Sequence, residues 1–247
     1  MRAILKIEDL YKDFSGLQVL SGVTLEVLDK ERHVIIGPNG SGKTTFFNII
    51  TGYYKPSRGK IYFFDKNITS WPPQKIARLG ISRSFQIINI FPRLTVYENV
   101  RSAVVSKFNR RFNWVSLLDR DRKIERESEG IVSLLELTDI RDVQASELSY
   151  GKQRHLELAL TIAREPILIM LDEPTAGLTS EETQKVVQLI RRLTEGKTLV
   201  MVEHDMEAAF NLADRITVFN NGSILATGRP DEIREDEKVK KVYLGRK

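Results

Sequence analysis

The sequence predicts an α/β protein. It has a mostly parallel sheet covered by helices, an antiparallel β subdomain at its N-terminal end, and an α-helical subdomain inserted into the chain. Three observations lead there. First, apolar runs of strand length recur at 34–36, 167–171, 198–202 and 215–219, with the amphipathic segment 181–193 among them. Strands apolar on both faces and separated by helices are the mark of a parallel sheet. Second, Val23, Leu25 and Val27 alternate with polar neighbours near the start, as in an antiparallel strand with one dry face. Third, the pattern turns helical between about 95 and 164, with no Gly/Ser linker on either side. The expected organisation is therefore one domain, 1–247. Segments 1–94 and 165–247 form the α/β core with its antiparallel subdomain, and 95–164 forms the helical subdomain.

Taken in order, Arg32 to Ile36 reads as a short buried strand that runs into a glycine-rich turn. Lys43 to Ile50 follows as a helix, with Gly52 as its terminator. Pro56-Ser57-Arg58-Gly59 reads as a turn before an aromatic-rich strand, 60–64. Charges of both signs crowd 107–129, which reads as a solvated helical face. The tail 231–247 reads as one charged helix.

Composition narrows the function. Lys plus Arg number 38 against 33 Asp plus Glu, a net charge of +5 that gives only a mild bias toward anionic partners. With 41% hydrophobic and 29% charged residues, the balance belongs to a folded chain and not to a disordered one. The absence of cysteine removes disulfides, thiolate metal sites and cysteine nucleophiles together. No run approaches the roughly 18 apolar residues of a membrane span, and the start lacks the apolar core of a signal peptide. The expected location is thus cytoplasmic, with any membrane business conducted through a partner.

Three motifs carry chemistry. Gly37-Pro38-Asn39-Gly40-Ser41-Gly42-Lys43-Thr44-Thr45 lies between a strand and a helix, where glycines let backbone N–H groups turn inward around phosphate oxygens. The helix N-terminus adds the positive end of its dipole. Lys43 is expected to reach the β- and γ-phosphates of ATP and the Thr44 hydroxyl to ligate Mg²⁺. The apolar run 167–171 ends in Asp172 and Glu173. At the carboxyl end of a parallel strand Asp172 is placed to hold Mg²⁺ through water, and Glu173 to take a proton from an attacking water. Leu148-Ser149-Tyr150-Gly151-Lys152 opens an amphipathic helix with Ser149 as N-cap, a second helix end suited to an anion.

The order of these motifs, with His204 in Val202-Glu203-His204-Asp205, resembles that of the ATP-binding cassette ATPases over essentially the whole chain. The family's central signature is usually Leu-Ser-Gly-Gly-Gln. This chain keeps Ser149 and Gly151, the positions expected to touch phosphate, and departs at Tyr150 and Lys152. The resemblance implies that Gln86, in Arg83-Ser84-Phe85-Gln86, senses Mg²⁺ and the helical subdomain, and that His204 contacts the γ-phosphate. It also implies that Ala176-Gly177-Leu178-Thr179 is the D-loop, with Thr179 where an acidic residue is usual, and that Phe14, or alternatively Tyr11, stacks on adenine. Cassettes of this kind work as head-to-tail dimers, each ATP lying between the phosphate loop of one copy and the 149–151 segment of the other. Further similarity, in Leu148-Ser149-Tyr150-Gly151, Val202-Glu203-His204-Asp205-Met206, Val242-Tyr243-Leu244-Gly245 and the long charged stretch before the signature, is to the subunits of branched-chain amino-acid importers. Urea and short-amide importers share nearly the same pattern. The implied partners are two transmembrane permeases, a second cassette (the same or a paralogue) and, indirectly, a solute-binding receptor, on the cytoplasmic side of the membrane. A ribosomal or DNA-directed cassette fits less well. There is one cassette, no Cys-x-x-Cys hook, and no basic face interleaved with aromatics, so no nucleic-acid partner is expected. A GTPase would need an Asn-Lys-x-Asp segment, which is missing.

Overall fold

The computed structural model describes residues 2–84, 90–107 and 117–244, the side chains of 117–120 and 244 excepted. Two sheets organise the described residues. The first is antiparallel, in the order β2-β1-β4-β5, from β1 (Ala3–Phe14), β2 (Leu17–Leu28), β4 (Arg58–Phe63) and β5 (Lys66–Asn67). The second has the order β10-β9-β3-β8-β7-β6, from β3 (Arg32–Ile36), β6 (Ile81–Arg83), β7 (Leu168–Asp172), β8 (Thr198–Val202), β9 (Arg215–Asn220) and β10 (Ser223–Gly228). All its pairings are parallel except the β9–β10 hairpin at one edge.

Strand alternation divides the interior in two. Val34, Ile36, Ile169, Leu171, Leu199, Met201, Ile216 and Val218 point into one core. Ile35, Leu168, Met170, Val200, Val202 and Phe219, their immediate neighbours, point into the other. Because successive side chains leave opposite faces of a strand, consecutive apolar residues fill two cores at once. The first core is closed by α5 (Tyr150–Ile162), α6 (Ser180–Leu193), α7 (Met206–Leu212) and the insertion helices α3 (Val96–Lys107) and α4 (Leu117–Leu134). The second lies between the two sheets and holds α1 (Lys43–Ile50) and α2 (Pro73–Arg78). Helices α3, α4 and α5 all fall between β6 and β7, which pair side by side, so the helical region is an insertion between neighbouring strands.

Helix α1 has no side-chain N-cap and no acid in its first turn. Eight residues make a marginal helix by themselves. Burial of Phe46, Phe47, Ile49 and Ile50 fixes it, at roughly 1.5–3 kcal/mol each, more than the ~1 kcal/mol a cap supplies. Its first N–H groups are thereby left to a ligand.

Two sequence expectations are corrected. Arg58 and Gly59 belong to β4 and not to a turn, because Arg58 pairs with Tyr11. Gly59 has φ +102°, and a Cβ there would stand 2.4 Å from the Asp9 carbonyl, so only glycine lets the strands approach. The tail is two helices, α8 (Pro230–Glu235) and α9 (Glu237–Leu244), divided at Asp236. Asp236 is extended, and its Oδ1 accepts from the Lys238 and Val239 N–H groups, capping a new helix rather than continuing the old one. No helix among the described residues is long and apolar enough to cross a membrane.

Candidate functional site

The carboxyl ends of β3, β7 and β8 converge on one cleft of about 600 Å³. It is lined by Val19, residues 39–45, Glu173 and His204. At its floor β3 gives way to Gly37, where a Cβ would stand 2.3 Å from the Phe219 carbonyl. Gly42, at φ +101°, would carry a Cβ 2.7 Å from Leu20 Cδ2. The loop is thus pressed against β9 and β2 from behind, and its exposed tip, Asn39 and Gly40, faces the cleft. Lys43 is buried and donates from Nζ to the Gly37 and Pro38 carbonyls at 2.8 and 3.1 Å. Burial holds its ammonium below its ordinary value, against the attraction of Glu173 and Asp172. Ser41 Oγ is buried and meets no partner among the described residues. Thr44 is exposed and Thr45 half-buried at the open helix end.

Asp172 closes β7 at 1% exposure. Arg83 Nη2 donates to its Oδ2 at 2.8 Å, while Arg83 Nη1 donates to Asn48 Oδ1 and Thr51 Oγ1 at 2.7 and 2.9 Å. The Asp172 N–H donates to Ser84 Oγ at 3.2 Å. Burial pushes this carboxyl above the usual range, and Arg83 pulls it back. Its Oδ1 is buried without a protein partner among the described residues.

Glu173 follows at φ +50°, a conformation costly for a residue with a Cβ, and its N–H donates to the Val202 carbonyl at 2.9 Å. His204 Nε2–H donates to Glu173 Oε1 at 2.8 Å, joining the ends of β7 and β8 over the cleft. Behind them sits Glu203, 1% exposed. It accepts from Thr175 N and Oγ1 at 3.1 and 2.8 Å and from the His204 and Asp205 N–H groups at 3.0 and 3.3 Å. Burial pushes its carboxyl up while those donors hold it down.

The structure therefore brings Asn39, Gly40, Ser41, Gly42, Lys43, Thr44, Thr45, Glu173 and His204 to one cleft, with Gly37 beneath it. Asp172 lies behind, close enough to interact electrostatically with Lys43. It does not bring Ser149, Gly151 or Phe14 to the lining. Ser149 N-caps α5, its Oγ accepting from Lys152 N at 3.4 Å. Phe14 is 38% exposed, edge-on to Tyr54 at 5.3 Å, with Lys12 Nζ 4.6 Å from its centroid. Tyr11 lies beside Gly22, carries Arg58 over its ring, and is only half-buried where Phe14 is exposed. Gln86 lies outside the described residues.

Sequence reasoning missed Arg83, Ser84, Thr175 and Glu203 as parts of the site. All four sit inside or beside quoted motifs. A charged residue directly after a fully buried strand, as Glu203 follows β8, was the available signal. Thr179, which stands where the resemblance led one to expect an acid, N-caps α6 in a reciprocal capping box with Glu182.

Comparison with known proteins agrees with this geometry. Residues 20–176 match the family model described as ABC transporter, and residues 223–247 match that of the branched-chain amino acid ATP-binding cassette transporter. The chain is 38% identical over 250 residues to the high-affinity branched-chain amino acid transport ATP-binding protein LivG of Salmonella typhimurium, covering 98% of each chain. Among solved structures it resembles the ADP conformation of MJ1267, an ATP-binding cassette of an ABC transporter, with TM-score 0.84, 30% identity and 99% and 100% coverage. It also resembles the dimeric post-hydrolysis state of the cassette MJ0796 bound to ADP and Pi, with TM-score 0.79, 27% identity and 92% and 98% coverage. With the glycine-rich loop, the buried acid and the Glu–His pair described and these likenesses spanning nearly its whole length, this chain belongs to the ABC transporter family as one of its ATP-hydrolysing cassettes.

Proposed function

We propose that this chain is the motor subunit of a branched-chain amino-acid importer, hydrolysing ATP between two cassettes to drive uptake through two permeases. It would lie on the cytoplasmic face of the membrane, with 95–164 as its helical subdomain. The observation that carries the hydrolytic half is the convergence of Lys43 and the Glu173–His204 pair on one cleft, with Asp172 buried behind it. The cargo rests on the likeness to LivG and on the match of the last 25 residues to the branched-chain amino-acid model.

The residues fit a nucleoside triphosphate with a divalent cation. The open N-terminus of α1, the inward-turned loop and the unpartnered Ser41 Oγ suit phosphate oxygens. Thr44, Gln86 and the unpartnered Oδ1 of Asp172 are the groups we assign to Mg²⁺. Bound there, the ion would neutralise charge building between the β- and γ-phosphates. Lys43 would exchange its two loop carbonyls for phosphate oxygens, and its buried ammonium gains strength from the low local dielectric. Glu173 would accept the proton of the attacking water as that water's oxygen bonds to the γ-phosphorus and the bond from that phosphorus to the β–γ bridging oxygen breaks, releasing ADP and phosphate. His204 holds Glu173 in place and turns toward the released phosphate. Phe14 would stack on adenine, and Ser149 and Gly151 would cap the γ-phosphate of the opposite copy. That split explains why neither lines this chain's own cleft.

Glu173→Gln tests the chemistry. Losing a positioned base should lower turnover by about 10²–10⁴ while ATP binding persists, with the protein collecting as a dimer on size-exclusion chromatography with ATP. Turnover at the parent rate would overturn the role of Glu173. Capture of the tagged chain from gently solubilised membranes tests the cargo. Two permeases and an amino-acid receptor should come with it, and a urea or amide receptor would overturn the branched-chain reading.

A further inference from the structure

Tyr150 stands in the signature segment where the family usually has glycine, and its side chain has a definite seat. Its Oη accepts from Arg154 Nη2 at 3.0 Å, and the Arg154 guanidinium lies 5.4 Å from its ring centroid. Arg154 is itself 2% exposed and bound through Nη1 to Glu157 at 2.8 Å, so the tyrosine hydroxyl is tied to a fixed, buried cation. The ring lies against Gly177. A Cβ at Gly177, which sits at φ +78°, would stand 3.3 Å from Tyr150 Cε1 and 3.7 Å from Oη. One residue on, a Cβ at Gly151 would stand 3.0 Å from Glu182 Oε1 and 3.9 Å from Leu178 Cδ2. Glu182 in turn holds Thr179, accepting from its N–H and Oγ1 at 2.9 Å each. Residues 150–151 therefore meet 177–179 at two adjacent points.

That loop begins at Glu173. The Ala176 N–H donates to the Glu173 carbonyl at 3.1 Å, the Leu178 N–H donates to the Thr175 carbonyl at 3.2 Å, and Thr175 is pinned to buried Glu203. The path from the Tyr150 ring to the base consists of two short turns of backbone with no slack segment. We infer that Tyr150 is a positioning residue, clamping the 149–151 segment onto the 174–179 loop and so fixing Glu173 relative to the surface that caps the opposite copy's ATP. This rests on the assignment of Glu173 and of 149–151 made above. Tyr150 is not among the residues that line the cleft, so it would act on turnover through the loop and leave a single copy's hold on nucleotide alone.

The test compares Tyr150→Ala with Tyr150→Phe in the full chain. Tyr150→Ala should lower kcat by about tenfold, since small misplacements of a catalytic group cost that or more, and should leave binding of a fluorescent ATP analogue to the isolated chain within about twofold. Tyr150→Phe keeps the ring on Gly177 and should recover kcat to within about threefold of the parent. Hydrogen exchange supplies a readout independent of turnover, in which the amides of Gly177, Leu178 and Thr179 exchange faster in Tyr150→Ala than in Tyr150→Phe. Unchanged exchange at those amides, or a Phe variant as impaired as the Ala variant, overturns the clamp. Tyr150 is 45% exposed, so neither substitution removes core, and melting curves verify that both variants fold. Failure of the underlying reading shows separately, as a Glu173→Gln chain that still turns over.

Discussion

The two helix ends proposed to face phosphate in this molecule are built from similar parts and finished differently. At the start of α1 the cap is Gly42, with no side-chain bond, and the helix opens on a cleft walled by Lys43, Glu173 and His204. At the start of α5 the cap is Ser149, whose Oγ already accepts from Lys152 N, and neither it nor Gly151 lines the cleft that holds Lys43, Glu173 and His204. The first end has its chemistry assembled within one chain, and the second does not. On the proposed reading, the difference teaches that the molecule carries a nearly complete hydrolytic half-site and an isolated cap, which would reach one nucleotide together only if a second cassette supplied the other half. The tertiary fold enforces the separation, because α5 returns from an insertion between β6 and β7 while α1 is wedged between the two sheets.

The most direct way to break this comparison is to separate the halves genetically. Lys43→Ala and Ser149→Arg should each abolish hydrolysis, the first by removing phosphate charge and the second by blocking the cap. Mixing the two proteins should restore roughly a quarter of parent activity. In a two-fold dimer half the pairs are mixed, and each mixed pair holds one intact site. No recovery on mixing would overturn pairing of this chain with itself. A second prediction targets the first helix end alone. Gly37→Ala would place a methyl 2.3 Å from the Phe219 carbonyl, and nucleotide binding by a single copy should be lost by titration calorimetry. Binding with the parent affinity would mean that the loop does not need to press against β9.

Smaller effects sharpen the contrast between the site and the frame that carries it. His33 is fully buried, with Nδ1 3.0 Å from Glu31 Oε1 and Nε2 2.8 Å from Thr217 Oγ1, and Arg215 forms an ion pair with the same Glu31, its Nη2 donating to Oε2 at 3.3 Å. Burial, assisted by Arg215, holds His33 below its ordinary 6.5, with Glu31 opposing. The unfolded chain therefore takes up the proton first. Stability is full above pH 6.5 and is lost as pH falls below it. Glu31 adds to the same trend at lower pH. Burial pushes its carboxyl up, but the His33 bond and Arg215 outweigh it and hold it below 4.5, so its contribution disappears as pH falls through that range. Melting temperature should drop between about pH 7 and 5.5, and His33→Gln should flatten the drop. An unaltered slope in the variant would assign the acid sensitivity elsewhere. Smallest is Thr179→Ala, which removes the α6 cap. It should cost about 1 kcal/mol, lowering the melting temperature by roughly 2–4 °C while α6 stays folded on its buried face.

Much of this was legible in the residues themselves. Helix α1 spans Lys43–Ile50 and β8 spans Thr198–Val202, as periodicity and the flanking glycines indicate. The phosphate loop, the Asp172–Glu173 pair and the family resemblance all follow from local spacing, because a loop that cradles phosphate is specified by the conformations its own glycines allow. The sequence by itself thus determined the family and the alternation of strand and helix. It did not reveal the β9–β10 hairpin, the place of β6 at the sheet edge or the break at Asp236, since each depends on which distant strand or which single hydrogen bond wins. Nor did it reveal that Arg83 holds Asp172, that Glu203 staples the loops after β7 and β8, or that Tyr150 lies on Gly177. Those pairings join residues 89, 28 and 27 positions apart. Sequence spacing carries no information about them until burial in a common core has brought the strands side by side, and only the tertiary structure decides which polar partner each buried charge then finds.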